Sequence, residues 1–371
     1  MSTNTAAWLP SPRADLVVGA AEMHEPGPGE ILVRNHVVAV NPLDEVKQWT
    51  GTLMYRWLPS PAILGEDIAG EVVAVSPDVD RFAPGDRVVA YAVGMERGRR
   101  HDAEGGFQLF TVVRADLAAP IPATLPYEDA VVLPLGVSTA ATALFQQDHL
   151  ALPHPTKNPS PTGSTVLVWG GATSVGSNAI QLAIASGHRV ATTASPHNHR
   201  RMRELGAEIV LDYRSPTVVA DMITALGTSQ VAGILAVGTG SAEPSVAIAA
   251  ATGVKRVALA SPSVSFSSLP RRAGPSVAFA RTISRLVAAN VALQIRARRH
   301  GIRARYVWGS SLMGNEVGPM LWRAYLPSAL AEGDHVCFPA PDVVGHGLES
   351  VQIALDRLRS GVSARKLVVR L

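Results

Sequence analysis

The run Thr165–Trp169 leads directly into Gly170-Gly171-Ala172-Thr173-Ser174-Val175-Gly176, and then into an Ala- and Ile-rich segment, Asn178–Ser186. This order of apolar run, glycine turn and helix-forming segment constrains the chain more than any other feature. A short β-branched run that opens onto glycines reads as a buried strand. A glycine turn between strand and helix points backbone N–H groups and a helix N-terminus at an anion, commonly a dinucleotide pyrophosphate. From Gly171 the turn reads G-x-T-x-x-G, with Thr173 where the dinucleotide pattern has its middle glycine. Ser177 stands where a phosphate-binding lysine would be needed, which argues against a P-loop. An ordinary tight turn would look the same locally, so the context decides. The alternation continues as strand Arg189–Thr193, helix Asn198–Leu205 and strand Ile209–Leu211, with a helix Leu348–Leu358 and a strand Lys366–Arg370 near the end. It predicts βαβ units and a doubly wound parallel sheet, an α/β chain.

The second strand bears on which dinucleotide would fit. An NAD site usually ends this strand with Asp or Glu, which bonds the ribose 2′-hydroxyl. Here it ends Ala194-Ser195-Pro196 without an acid, followed by His197, Asn198, His199, Arg200 and Arg201. Ser195 is placed to cap the next helix, with Pro196 at its first position. A small hydroxyl and a basic flank suit a 2′-phosphate, so the expected cofactor is NADP(H).

Residues 28–135 have a different texture. Ile31–Val33, Val37–Val40, Gly70–Val75, Arg87–Tyr91 and Phe107–Val113 are short β-rich runs, and Pro77, Pro84, Gly85 and Asp86 are turn residues among them. They predict a mostly antiparallel β domain. Leu150–Thr162, with Pro153, Pro155, Pro159 and Pro161, reads as an exposed loop. The length of 371 residues suggests about two domains. One cysteine, Cys337, excludes a disulfide framework and a multi-cysteine zinc site, and fits a reducing, cytoplasmic setting. Met1–Thr5 has neither a basic nor an apolar leader character. Pro134 and Gly136 interrupt the uncharged stretch Ala130–Gln147, making it a poor membrane span.

Charge is unevenly spread. Pro244–Asn315 contains no Asp or Glu but carries eleven Lys and Arg, so a chain of net +3 is +11 there and −8 elsewhere. Phe279, Ile283, Val287, Val291 and Ile295 recur every four residues and predict an amphipathic helix with arginines off the stripe. A solvated face and an acidic partner, such as a carrier protein or a CoA phosphate, are the competing readings. Nucleic acid is not expected, because no recognition motif is present.

Taken together, several ordered segments resemble the medium-chain dehydrogenase/reductase superfamily, in its zinc-free quinone-oxidoreductase and enoyl-reductase branch. They include Ala39–Lys47, Ile63–Val72, Gly85–Val88, Gly105–Phe107, Gly170–Gln181, Ala194–Asn198, Glu204–Ala207, Asp212–Arg214 and Gly361–Val369. The Ser195–Asn198 and C-terminal segments most resemble trans-acting enoyl reductases of polyketide pathways. The resemblance implies a GroES-like β domain from residues 1–135 and 322–371, with a Rossmann domain from 136–321 inserted between them. It also implies that Asn41, Asp44 and Lys47 line the nicotinamide ribose and the substrate floor. Ser138 and Thr139 would contact the nicotinamide amide, and Tyr213 and Arg214 the adenosine ribose or its phosphate. Gly171, Thr173, Ser174, Val175 and Gly176, with Ser195 and Asn198, would hold the rest of the cofactor.

Zinc-dependent members use a Cys, a His-Glu pair and a further Cys or His. Here Asn41 stands at the first ligand position and Gly65-Glu66-Asp67 replaces Gly-His-Glu, so no metal is expected. Without a Lewis acid, the implied reaction is hydride transfer from NADPH to an activated C=C of an enoyl thioester or enone. Its substrate would be a small molecule or carrier-bound. A quinone oxidoreductase and a non-catalytic NADPH-binding scaffold are the alternatives, and a homodimer is a further expectation. Lys47, Tyr55 and bound water are the candidate proton donors, with water or Lys47 preferred. Leu53 falls near the place where mitochondrial-type relatives carry a catalytic tyrosine, and Tyr55 lies two residues beyond it.

Overall fold

The computed structural model describes residues 3–262 and 276–371, so Arg271 and Arg272 lie outside the described residues. In chain order the strands are β1 Asn4–Leu9, β2 Val17–Ala21, β3 Glu30–Ala39, β4 Ala62–Ile63, β5 Asp67–Val75, β6 Arg87–Tyr91, β7 Phe110–Arg114 and β8 Ala118–Pro120. There follow β9 Ser164–Trp169, β10 Arg189–Thr193, β11 Ile209–Leu211, β12 Gln230–Ala236, β13 Arg256–Leu259 and β14 Arg303–Tyr306, and finally β15 Ala340–His346 and β16 Arg365–Arg370. They divide between two units. The first takes the chain to Leu135 and again Gly318–Leu371, and the second takes Gly136 to Val317 among the described residues. The return boundary thus falls at Val317/Gly318, at the head of a helical segment, rather than at 321/322.

In the first unit β15-β16-β3-β5-β6-β8 form one sheet, with β7 also paired to β3, and β2-β1-β4 form a smaller one. The pairings are antiparallel except for β15 with β16. The runs Ile31–Val33 and Val37–Val40 join into one strand, because register shifts at Leu32/Val33 and Asn35/Val37 absorb the polar residues between them. Asn35 is buried there, and its amide donates to the carbonyls of Gly106 and Gln108 and to Thr111 Oγ1 at 3.2, 2.8 and 2.8 Å. The bulge also needs Gly70, where a Cβ would lie 2.0 Å from the Arg34 carbonyl oxygen. Ile31, Val38, Ile63, Ile68 and Phe107 share one core with Val351, Leu355, Leu367 and Val369, so the chain's last segments complete its first domain.

The second unit is a six-stranded parallel sheet in the order β11-β10-β9-β12-β13-β14. Counted from β9 this is the dinucleotide-fold order 3-2-1-4-5-6. Its helix after β9 runs Ser174–Ala185 and so starts four residues before Asn178, because Thr173 caps it. The helix Val277–Arg299 corrects the expected apolar stripe. Leu293 and Ala297 are buried and Phe279, Ile283 and Leu286 are half-buried, whereas Val287, Val291 and Ile295 are exposed. A strict four-residue period advances about 40° per step on a helix of 3.6 residues per turn, so the stripe winds off the packed face. The stretch Tyr127–Phe145, apolar enough to attract attention as a span, is mostly buried within the fold.

One buried histidine makes stability depend on pH. His335 is buried with its ring edge-on to Tyr325 at 5.8 Å, and desolvation pushes its pKa down to about 4. An unfolded imidazole titrates near 6.5. Its contribution is therefore complete above about pH 6.5 and is lost as the pH falls toward 4. Urea midpoints measured from pH 7.5 to 5 should fall more steeply for the wild type than for His335→Gln. Parallel profiles would reject this assignment.

Candidate functional site

In the second unit the cofactor-type turn is built from backbone and hydroxyl groups. Thr173, the departure from the glycine pattern, is turned inward. Its Oγ1 donates to the Gly170 carbonyl at 2.8 Å and accepts from Gly176 N–H at 3.0 Å. The missing glycine is thus replaced by a helix cap whose side chain stays inside the turn. Gly170 adopts φ +87°, a left-handed conformation that favours glycine. A Cβ on Gly176 would lie 2.2 Å from the Gly170 carbonyl oxygen, and one on Gly171 2.3 Å from Thr192 Oγ1. Val175 N–H, in the first turn of the following helix, meets no acceptor among the described residues.

Neighbouring strands complete this edge. Thr193, at the end of β10, accepts from Gly170 N–H through Oγ1 at 3.0 Å and from Gly171 N–H through its carbonyl at 2.9 Å. Ser195 and Pro196 begin a short 3₁₀ turn, Pro196–Asn198, but the Ser195 hydroxyl makes no capping hydrogen bond, so the expected cap is positional only. The turn is closed instead by Asn198 N–H donating to the Ser195 carbonyl at 2.8 Å. Tyr213 is 41% exposed with the Arg214 guanidinium 5.2 Å from its ring centroid, so it is not a core tyrosine. Arg200 and Arg201 both reach Glu204, at 3.0 and 3.1 Å. Ser138 and Thr139 are buried in the helix Pro134–Phe145. That helix crosses the Ser174 end so closely that a Cβ on Gly136 would lie 2.3 Å from Ser174 Oγ. The glycine turn, Ser195 and Asn198, and Tyr213 and Arg214 thus follow the carboxyl ends of β9, β10 and β11, where open parallel sheets bind ligands.

The first unit holds the second group. Asp44 is fully buried and accepts from Asn41 N–H at 2.9 Å and Gly65 N–H at 3.1 Å. Burial pushes its carboxyl up to about 7 against those two donors, with the charge of Asp67 adding to the rise. Asn41 donates through Nδ2 to Asp67 Oδ2 at 2.8 Å, and its Oδ1 accepts from Lys366 Nζ. Lys366 also pairs with Asp67 at 2.7 Å, and the other Asp67 oxygen accepts from Leu135 N–H at 2.7 Å. Glu66 accepts from Tyr91 Oη at 3.2 Å, and burial, followed by the charges of Asp44 and Glu96, holds it well above the usual carboxylate range.

Lys47 and Asp44 do not pair among the described residues, although they share one turn of the helix Pro42–Thr50. Lys47 is buried, and its ammonium donates to the carbonyls of Gly51, Met54 and Tyr55 at 3.0, 3.2 and 3.1 Å. Tyr55 packs in the core at φ +50°, with Trp57 edge-on at 5.5 Å, and burial raises its hydroxyl above the usual phenol range. Sequence reasoning did not single out Lys366, Asp67 or Glu66 as site residues. The available signal was a lysine inside the apolar strand Arg365–Arg370 and the adjacent acids Glu66 and Asp67 between apolar residues at 63–64 and 68–69.

Residues 27–123 match the model of the alcohol dehydrogenase GroES-like domain. The chain is 44% identical to dehydrogenase pigH of Monascus ruber over the whole of both chains. It belongs to the medium-chain dehydrogenase/reductase superfamily. Another member, the trans-enoyl reductase himH of Aspergillus japonicus, is 37% identical over 99% of this chain and 97% of its own. The fold is shared with an alcohol dehydrogenase superfamily protein from Novosphingobium aromaticivorans, at a TM-score of 0.71 and 24% identity over the whole of both chains. The protein is therefore an oxidoreductase of a superfamily that binds a nicotinamide cofactor.

The residues present fit such a cofactor. The turn cannot accept a Cβ at Gly171 or Gly176, and the helix that follows it leaves the Val175 N–H for an anion. They do not fit the superfamily's zinc. The Asn41 amide is committed to Asp67 and Lys366, and an ammonium already sits against the nearby carboxylate. Among the described residues no group of three or more His, Cys, Asp or Glu is arranged to hold a metal. Gly176→Ala should weaken binding of reduced nicotinamide dinucleotide at least about tenfold, or 1.4 kcal/mol, in a fluorescence titration. Unchanged affinity would mean that the turn does not hold the cofactor.

Proposed function

We propose that the protein is an NADPH-dependent, metal-independent enoyl reductase acting on a C=C bond activated by a thioester. The observation that carries this reading is the committed polar set around Asn41. Lys366, Asp67 and Asn41 satisfy one another, which supports a reaction that does not draw on these groups to hold the metal an alcohol dehydrogenase uses to polarise a carbonyl. Reduction of an activated C=C needs no such ion, because the thioester carbonyl itself accepts the developing charge. The likeness to the trans-enoyl reductase himH supports the same substrate class. When bound, NADPH supplies the hydride that saturates the bond.

The chain's own residues hold and orient. Gly171, Thr173, Ser174, Val175 and Gly176 would cradle the diphosphate, and Ser195, Asn198 and the basic residues after β10 the 2′-phosphate. Ser138 and Thr139 would face the nicotinamide end, and Tyr213 and Arg214 the adenosine end. Asn41 and Asp44 shape the floor. Lys47 would act by fixing the loop Gly51–Tyr55, since three carbonyls take its donors. A tyrosine as tightly protonated as Tyr55 is a poor acid. Solvent water is therefore the proposed proton source for the α-carbon.

NADPH oxidation should be measured with crotonyl-N-acetylcysteamine, a simple enone and a quinone, with NADH as the alternative reductant. Turnover on the thioester with NADPH is expected, and Arg200→Glu should raise the KM for NADPH about tenfold without changing that for NADH. Preference for the quinone, or tight NADPH binding without turnover on any substrate, would replace this reading with a quinone reductase or a scaffold. An Arg200→Glu effect equal for both nucleotides would remove the 2′-phosphate assignment.

A further inference from the structure

The helix Val277–Arg299 carries an apolar line that stays exposed among the described residues. Val277, Val287, Val291 and Ile295 are 77, 56, 53 and 48% exposed. The opposite face of the same helix carries the buried Leu293 and Ala297, so the element is anchored and the line faces out. At about 100° per residue, Arg281, Arg285, Arg296 and Arg299 fall along one flank of that line, and Arg298 falls on the line itself at its C-terminal end. Among the described residues these four arginines have no ion-pair partner, whereas Arg305 is paired with Asp148 at 2.8 Å. From Pro244 to Asn315 the sequence has no acid with which to neutralise them.

We infer that this helix is the docking face for an acidic carrier protein, one that presents the enoyl thioester on a phosphopantetheine arm. The inference rests on the enoyl reductase reading and names its partner. An apolar ridge beside a single-sign flank fits a protein face that has its own apolar ridge beside carboxylates. Charge complementarity of that kind gives specificity and fast encounter. A second copy of this chain is disfavoured, because its own copy of this helix would offer the same arginines and no acid to meet them. A nucleic acid would leave the valine line without a partner. A lipid surface would want large apolar side chains on the exposed line, where this helix has two valines and an isoleucine at its core.

The test compares crotonyl-N-acetylcysteamine with crotonyl carried on a stand-alone acidic acyl carrier protein. Val291→Glu and the triple variant Arg285→Glu/Arg296→Glu/Arg299→Glu should each lower kcat/KM for the carrier-borne substrate at least tenfold. They should leave the free thioester within twofold, which also reports that the variants are folded. The salt dependence of the carrier-borne reaction should flatten in the triple variant. Equal effects on both substrates, or none on either, would overturn the inference. So would failure of the wild type to bind the carrier, self-association by sedimentation that the variants abolish, or adsorption to phosphatidylserine vesicles that they abolish. Fluorescence anisotropy with labelled holo carrier protein separates the two proposals. If the wild type reduces neither thioester but binds the carrier, and the variants do not, the docking face stands and the enoyl reductase reading falls.

Discussion

A buried ammonium organises the first unit. Lys366 sits in the last strand with its charge against Asp67 and Asn41, and Asp67 in turn holds the Leu135 N–H at the head of the helix Pro134–Phe145. Four stretches distant in sequence therefore meet on one cation. Two charges taken from water repay their desolvation only with good geometry and further hydrogen bonds, and removing one partner of such a pair typically costs about 3–5 kcal/mol. Here each Asp67 oxygen has a donor, and both ends of the Asn41 amide are used. The C-terminal strand thus supplies the cation against which Asn41 and Asp67 are set.

Satisfaction of polar groups also shapes the second unit, by a different route. Its turn has threonine where the dinucleotide pattern has a middle glycine, and the departure is absorbed because the threonine hydroxyl folds inward as a cap. The glycines that remain are those whose Cβ would strike backbone or a buried side chain. The net result keeps backbone N–H groups and a helix N-terminus at the carboxyl edge of β9, where an anion is best held.

Composition and charge gain meaning once placed on elements. Asn41 and Glu66 stand where the zinc-dependent pattern has Cys and His, and the fold sets an ammonium against the neighbouring Asp67 carboxylate. Within the acid-free stretch, the spacing of Phe279, Ile283, Val287, Val291 and Ile295 predicts an amphipathic helix with arginines off the stripe. Its packed face runs through Phe279, Ile283, Leu286, Leu293 and Ala297, and a neighbouring apolar line is left outside.

Local order was legible from the sequence by itself. β6, β10 and β11 were read with their observed ends, and the glycine turn announced the parallel sheet, because strand periodicity, helix caps and turn chemistry act over a few residues. The β3 runs were split because a bulge is an agreement between two strands, and only the partner, with Gly70 opposite, makes the polar interruption acceptable. Lys47 and Lys366 show the same limit in the site. The family resemblance implies that Lys47 lines the nicotinamide ribose and the substrate floor, and the sequence places Lys366 in a final strand. The tertiary structure shows Lys47 donating to three carbonyls and sets Lys366 in a buried carboxylate–amide cluster. A charged side chain's role depends on which distant groups can satisfy it away from water, and sequence distance carries no record of that.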